Sequence, residues 1–409
     1  MTIVGAHDGQ AGEPGVLAGV RVIDFGRFIA APYCGMILAD MGAEVVRVER
    51  PGGDEDRRLG LTASNGENLT FPLLARNKLG ITLDLRQPSA RPVLFDLVRC
   101  SDVLLHNFGP GAAAALGLAY DDVRQVKPDL IYTEVSCYGT VGPDAHRTGF
   151  DPIAQVASGA AALNGTDGDA PLRCGVPWVD YSTGLCAALG TVLALRHRDK
   201  TGKGQAVDCS LLRTAISYVS PMIAEATVLR RPRPRLGNRA AYMGPTDLYQ
   251  CLDGHVYVVC ATDAAWKSLA GVIGRPDFLT DSALQTSYGR FEQRHRVDPV
   301  VTQWIAQRTV RDVVAAMDAV KIPCGIYRST NDVADDPQVQ ADNILIGLNL
   351  EWSGLEHVPA AANPIRLSRT ASAIRSRPPR VGEHNRHVYE QLLQYDQSRL
   401  GELQRLRVI

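Results

Sequence analysis

Asp180-Tyr181-Ser182-Thr183-Gly184 stands at the head of an Ala- and Leu-rich stretch that runs to about His197. A carboxylate in that position has two uses. It can cap the free N–H groups of the first helical turn. It can also be held ionised by the helix N-terminus and so be available for reaction. The residues alone favour the cap. His384 and His387, three apart, are a metal pair or one turn of a surface helix, and the turn is the ordinary reading. Arg230-Arg231-Pro232-Arg233-Pro234-Arg235 is a basic, proline-broken linker that suits solvent or a phosphate equally well.

Other chemistry is argued against by what the chain lacks. No G-x-G-x-x-G follows the first strand, so a dinucleotide fingerprint is missing, and with it the expectation of a nicotinamide or flavin. There is no G-x-x-x-x-G-K-[ST] phosphate loop and no G-x-S-x-G nucleophile elbow. The 409 residues carry 43 Lys and Arg against 44 Asp and Glu, a net charge of -1. No bulk charge draws such a chain to nucleic acid or an anionic membrane. The nine cysteines form no C-x-x-C pair, and an odd count suits no closed disulfide framework. They are expected as reduced thiols in a cytoplasmic protein. The first ten residues show no signal peptide, and no apolar run reaches the length of a membrane span.

The elements that must position Asp180 follow from periodicity. Residues 1–15 form a loose tail. Val20–Phe25, Val45–Glu49, Ile81–Leu85, Asp102–Asn107 and Leu130–Val135 are predicted strands, alternating with helices over Ala31–Met41, Pro88–Arg99 and Asp121–Val126. Strand, helix and strand in quick succession predict parallel βαβ units. Past the long helix, Thr201–Gln205 is a turn, and helical spacing resumes from Ser210 to about Leu229. Asp253-Gly254 between Leu248–Leu252 and His255–Val259 predicts a hairpin. Helices follow near Ala264–Ile273 and Val310–Val320, then an irregular, Pro-rich stretch and a helix near His387–Leu393. The fold class expected is α/β: a large Rossmann-like open-sheet domain over 1–228 plus 330–409, and a smaller α+β domain over 229–329.

The motifs resemble the class III CoA-transferases, the family of formyl-CoA transferase, carnitine CoA-transferase and the α-methylacyl-CoA racemases. The similar blocks are Gly19–Phe25, Ala31–Cys34, Gly42–Pro51, Arg76–Lys78 with Ile81–Leu85, His106–Gly111, Gly149–Asp151, Gly175–Gly184, Thr201–Gln205 and Pro379–His384. Each is short, but their order and spacing cover nearly the whole chain. The resemblance implies an interlocked homodimer that moves coenzyme A, as co-substrate and without a metal, from an acyl-CoA to a free carboxylic acid. It makes Asp180 the catalytic nucleophile. It places Arg50 near the nucleotide, and Arg76, Asn77 and Lys78 in a CoA-contacting block. Asn107 and Phe108 fall beside the pantetheine arm and adenine, and the Ala30 backbone lines the thioester pocket.

Departures from the family pattern narrow the choice. The racemases carry Gly-His-Asp where this chain has Gly149-Phe150-Asp151. Phenylalanine moves no proton, which argues against an acyl-CoA racemase or epimerase, the rival within enzymes. A non-catalytic acyl-CoA-binding protein is the rival outside them. The arginine and the glycine run associated with formyl transfer are absent, since Ala115 and the Gly237–Pro245 segment stand there. Tyr138, Trp178, Tyr181 and Tyr242 point to a medium or bulky apolar acyl group. Glycines near Asp180 and in the Gly237–Gly244 loop are the expected oxyanion donors.

Overall fold

The computed structural model describes residues 14–60, 62, 68–350 and 354–409. The tail expected over 1–15 falls, up to residue 13, outside them. Six strands form one parallel sheet: β1 (Arg21–Asp24), β2 (Glu44–Glu49), β3 (Lys78–Thr82), β4 (Val103–His106), β5 (Ile131–Ser136) and β6 (Gln205–Ser210), in the order β3-β2-β1-β4-β5-β6. Alternate side chains of a strand point to opposite faces. Val22, Val45, Val103 and Leu105 feed one buried cluster, and Ile23, Val46 and Leu104 feed the other. Helices Ala30–Asp40 and Trp178–Thr201 cover the first face. Helix Ala90–Arg99 and the C-terminal Val388, Tyr389 and Leu403 cover the second. Coverage on both faces explains why these strands are continuous apolar runs.

Strand order reverses between β1 and β4. In an open parallel sheet that switch point leaves a crevice at the carboxyl ends of the two strands, where ligands bind.

The structure departs from expectation at both sheet edges. β3 begins three residues earlier than predicted, at Lys78, because the charge that masked it is buried and paired: Lys78 Nζ lies 2.8 Å from Asp24 Oδ2 and donates to Pro32 O. β6 falls between the turn expected over Thr201–Gln205 and the helix expected from Ser210, where no strand is predicted. It is an edge strand whose first residues are exposed, so its sequence, Gln205–Ser210, lacks an apolar signature. Helix Trp178–Thr201 is long and apolar enough to cross a membrane. Here one face of it packs in the core through Val179, Thr183, Ala187, Ala188 and Thr191.

The chain divides into two compact units. One comprises Met1–Ala160, Arg173–Ser220 and Pro337–Ile409; the other comprises Ala161–Leu172 and Pro221–Asp336. The second unit holds an antiparallel sheet of β7 (Thr246–Gln250), β8 (His255–Val259) and β9 (Cys324–Ile326) in that order. Its core gathers around Trp266, which stacks on Phe278 at 5.7 Å. In the last segment of the first unit, β10 (Leu345–Leu350) and β11 (Leu355–Ala361) pair antiparallel, where no strands were predicted.

Candidate active site

The carboxyl ends of β1, β4 and β5 open onto a cavity of about 220 Å³. Phe28, Ile29 and Ala30 follow β1, and Asn107, Phe108, Gly109 and Pro110 follow β4. Cys137, Arg147, Thr148, Gly149 and Phe150 follow β5, and Asp180 completes the wall.

Asp180 is not the N-cap. The helix starts at Trp178 behind Pro177, which has no side chain to accept a bond, and Asp180 is the third residue of the first turn. Asp151 does the capping from outside the helix. Its Oδ2 accepts the N–H of Val179 at 2.8 Å and of Asp180 at 3.2 Å, and its Oδ1 accepts Gln155 Nε2 at 2.5 Å. Gln155 in turn accepts the Cys174 N–H at 2.8 Å. Asp180 is thereby released from capping and faces the cavity. Its carboxyl is pushed up to about 7, first by burial and then by the charge of Asp151. The lowered pKa expected at a helix N-terminus gives way to this desolvation. Cys137 in the same wall is pushed up to about 11 by burial and by Asp180, so it stands as a thiol.

The opposite wall is a braced loop. Phe28 has φ +64°, a left-handed conformation that costs a bulky residue energy. Four contacts hold it. Asn107 Oδ1 accepts the Arg27 N–H and Asn107 Nδ2 donates to the Arg27 carbonyl, each at 2.8 Å. Asp56 accepts the Phe28 N–H at 3.3 Å, and the Phe28 ring meets Phe150 edge-on at 5.3 Å. Ala30 then begins its helix, whose first-turn N–H groups have no partners within the helix. Such groups suit a developing negative charge.

A second cavity, of about 210 Å³, shares Phe108 with the first. Its floor is apolar, from Phe25, Val48, Leu83 and Leu116, and Arg27, Arg50 and Arg86 stand on its wall. Arg50 bonds Asp54 and Glu55 at 3.0 Å each, and the Arg27 guanidinium lies 5.4 Å from the Phe108 ring centre.

Of the residues singled out by sequence, Asp180, Ala30, Asn107 and Phe108 meet in one cavity, and Arg50 lies in the adjoining one. Arg76, Asn77 and Lys78 reach neither. Arg76 pairs with Asp40 at 2.8 Å, and Asn77 donates to Asp40 and accepts the Arg375 and Ser376 N–H groups. With Lys78 on Asp24, all three are buried and engaged within the fold. His384 accepts the Gly80 N–H at 3.0 Å, and His387 bonds Gln391. Gly237, Gly244 and Tyr242 belong to the second unit. Trp178 packs on Tyr218 and Tyr181 on Tyr33, so the rings that line the cavity are Phe28, Phe108 and Phe150. Sequence reasoning missed Asp151 and Arg147. For Asp151 the signal was present, in a block read only for its missing histidine.

The family model described as CoA-transferase family III matches residues 17–385. The succinyl-CoA--D-citramalate CoA-transferase of Chloroflexus aurantiacus is 33% identical over 97% of this chain and 98% of its own length. The beta subunit of succinyl-CoA--L-malate CoA-transferase from the same organism is 35% identical over 96% and 98%. A CaiB/BaiF family protein from Brucella suis superposes with a TM-score of 0.81 at 28% identity, over 93% of this chain and 100% of that one.

Proposed function

The chain belongs to CoA-transferase family III, and on that premise we propose that its Asp180 carboxylate carries coenzyme A from an acyl-CoA to a free carboxylic acid. The observation that carries this reading is the placement of Asp180: helix-borne, uncommitted to capping and facing a cavity at the sheet's switch point.

The ionised carboxylate attacks the thioester carbonyl, and the thiolate of CoA leaves, giving a mixed anhydride. The thiolate then attacks the Asp180 carbonyl of that anhydride. The donor's acid departs as its carboxylate, and an aspartyl-CoA thioester remains. The acceptor carboxylate attacks this thioester and expels the thiolate again. Thiolate attack on the acceptor's carbonyl forms the new acyl-CoA and returns Asp180 as a carboxylate. Every intermediate is an activated acyl, so the cycle needs no ATP, metal, nicotinamide or flavin. The anhydrides hydrolyse in water, and the apolar rings of Phe28, Phe108 and Phe150 help exclude it. N–H groups at the start of helix Ala30–Asp40 supply oxyanion donors. The second cavity suits the nucleotide, with Phe108 against the adenine and Arg27, Arg50 and Arg86 for the phosphates.

The reading extends to a homodimer in the cytoplasm. Leu185, Leu189, Val192 and Leu193 form an exposed apolar stripe on the long helix, which favours a partner surface. All nine cysteines are unpaired. Sedimentation tests the dimer.

The transfer is tested with a panel of acyl-CoAs and free acids, following new CoA esters by mass spectrometry with Asp180→Ala in parallel. New esters from the wild type alone support it. Deuterium exchange at the α-carbon of a 2-methylacyl-CoA without any acid would point to racemisation. Binding of acyl-CoA with no turnover by either form would point to a binding protein.

A further inference from the structure

Among the residues that line the Asp180 cavity, Arg147 alone carries a positive charge. It sits in the loop after β5, one residue before Thr148-Gly149-Phe150. The Gly149 position has no room for a side chain, because a Cβ there would collide with Cys137 Sγ. The segment is thus pressed against the cavity wall, and Arg147 is set beside it. The guanidinium lies 5.4 Å from the centre of the Tyr138 ring, which fixes its direction without engaging its donors.

Those donors are weakly committed. The carboxylate paired with Arg147 is Asp144, three residues back, at 3.1 Å, with both side chains about half exposed. Exposed pairs of this kind contribute little and exchange readily for a better-desolvated carboxylate. The other polar groups of the wall are engaged or neutral. Asn107 holds the Arg27 backbone, and Ser136 accepts the Gly139 N–H. The cavity already contains one acid, Asp180, with Asp151 bonded behind it. A further negative charge entering among Phe28, Phe108 and Phe150 needs a cation to pair with, and one stands there.

We propose that Arg147 is a specificity-determining residue that receives the distal carboxylate of a small dicarboxylic acid, so that the acids exchanged at Asp180 are diacids in preference to monoacids. This rests on the CoA-transfer reading of the cavity. One carboxylate of the acid reacts with the aspartyl thioester while the other accepts N–H bonds from the guanidinium and is unchanged by the cycle.

The test uses acids that differ only in the distal group: glutarate against pentanoate, and succinate against butanoate. In a double-displacement cycle kcat/KM for the acceptor reports only the second half-reaction, so the donor is free to differ: succinyl-CoA serves for glutarate and pentanoate, and glutaryl-CoA for succinate and butanoate, so that every transfer yields a new CoA ester. The wild type is expected to favour each diacid by roughly 100-fold or more. Arg147→Gln should cut that ratio by roughly 10-fold or more, and Arg147→Lys should restore part of it. A structural role would lower both acids alike and leave the ratio unchanged. A wild-type ratio near one, or an unchanged ratio in Arg147→Gln, overturns the proposal while leaving CoA transfer standing. Failure of the wild type to transfer CoA to any acid sinks the transfer reading and this inference with it.

Discussion

Burial and the neighbouring Asp151 hold the Asp180 carboxyl near 7, against an ordinary value of 3.8. Attack requires the ionised form, so kcat/KM for acyl-CoA should rise with pH through about 7 and level off above it. A flat profile from pH 5 to 9, on a substrate for which chemistry limits the rate, would count against Asp180 as the nucleophile. The same shift bears on stability. A carboxyl whose folded pKa is raised contributes stability that is full below its ordinary value and is lost as pH rises through about 7. Asp180→Asn should therefore abolish transfer yet melt higher than the wild type at pH 8, by an amount of order 1–3 kcal/mol, with the difference vanishing towards pH 4. Equal melting at both pH values would refute the desolvation argument. Asp151 acts through Asp180 and through the helix end. Asp151→Asn keeps one acceptor oxygen for the helix N–H groups and removes the charge, so the kinetic pKa should fall below about 7, while its NH2 set against Gln155 Nε2 gives up one buried hydrogen bond. Asp151→Ala should also lose the cap, at roughly 1–2 kcal/mol. Asp180 was legible in sequence through its Ser-Thr-Gly context, but its cap was not, because the capping residue lies 29 positions away along the chain.

Among the elements, helix Trp178–Thr201 can bring Asp180 to the cavity only by lying close to helix Ala30–Asp40. Gly184 permits this, because a Cβ there would collide with the Ala30 carbonyl oxygen and press on Tyr33. Gly184→Val should separate the helices, cost roughly 1–3 kcal/mol or more of stability and misalign Ala30 with Asp180. Activity should fall further than the thermal midpoint predicts. If Gly184→Val transfers CoA at the wild-type rate, the two helix ends do not act together. The central strands and both of these helices were legible because each buries a continuous apolar face. The start of β3 and the whole of β6 were not. At Lys78 a buried ion pair disguises a core position as a charged one. At Gln205–Ser210 an edge strand owes its form to pairing with β5, not to its own residues. The β10–β11 pair was hidden likewise, since Gly347 and Pro359 stand within it and discourage a strand reading.

At the scale of the whole molecule, the residues that resemble a CoA-contacting block tie the ends of the first unit together. Asp40 ends its helix beneath Arg76, Asn77 and Asn363, and Arg76 also donates to the Ala361 carbonyl at 2.9 Å. Arg375 donates to the Ala39 carbonyl, and its own N–H is accepted by Asn77. One buried carboxylate therefore fastens residues 76–77 and the 361–376 segment to the helix that begins at the cavity. A motif match cannot distinguish such a knot from a ligand contact, because both require the same residues in the same order. Mutation can. Arg76→Ala leaves Asp40 buried and short of its cation, which should cost roughly 3–5 kcal/mol. The thermal midpoint should drop by several degrees, while KM for acyl-CoA, measured well below that midpoint, stays close to the wild-type value. Arg50→Ala should do the reverse. Arg50 is a third exposed, and its loss leaves Asp54 still paired with Arg27 at 3.3 Å. Stability should change by no more than about 1 kcal/mol. KM for acyl-CoA should rise several-fold, and more for intact CoA esters than for esters lacking the nucleotide, because only the intact ligand reaches the arginine-walled cavity. If Arg76→Ala raised KM with the midpoint unmoved, the knot would be a ligand site after all, and the nucleotide would have to be placed near Asp40 instead of Arg50.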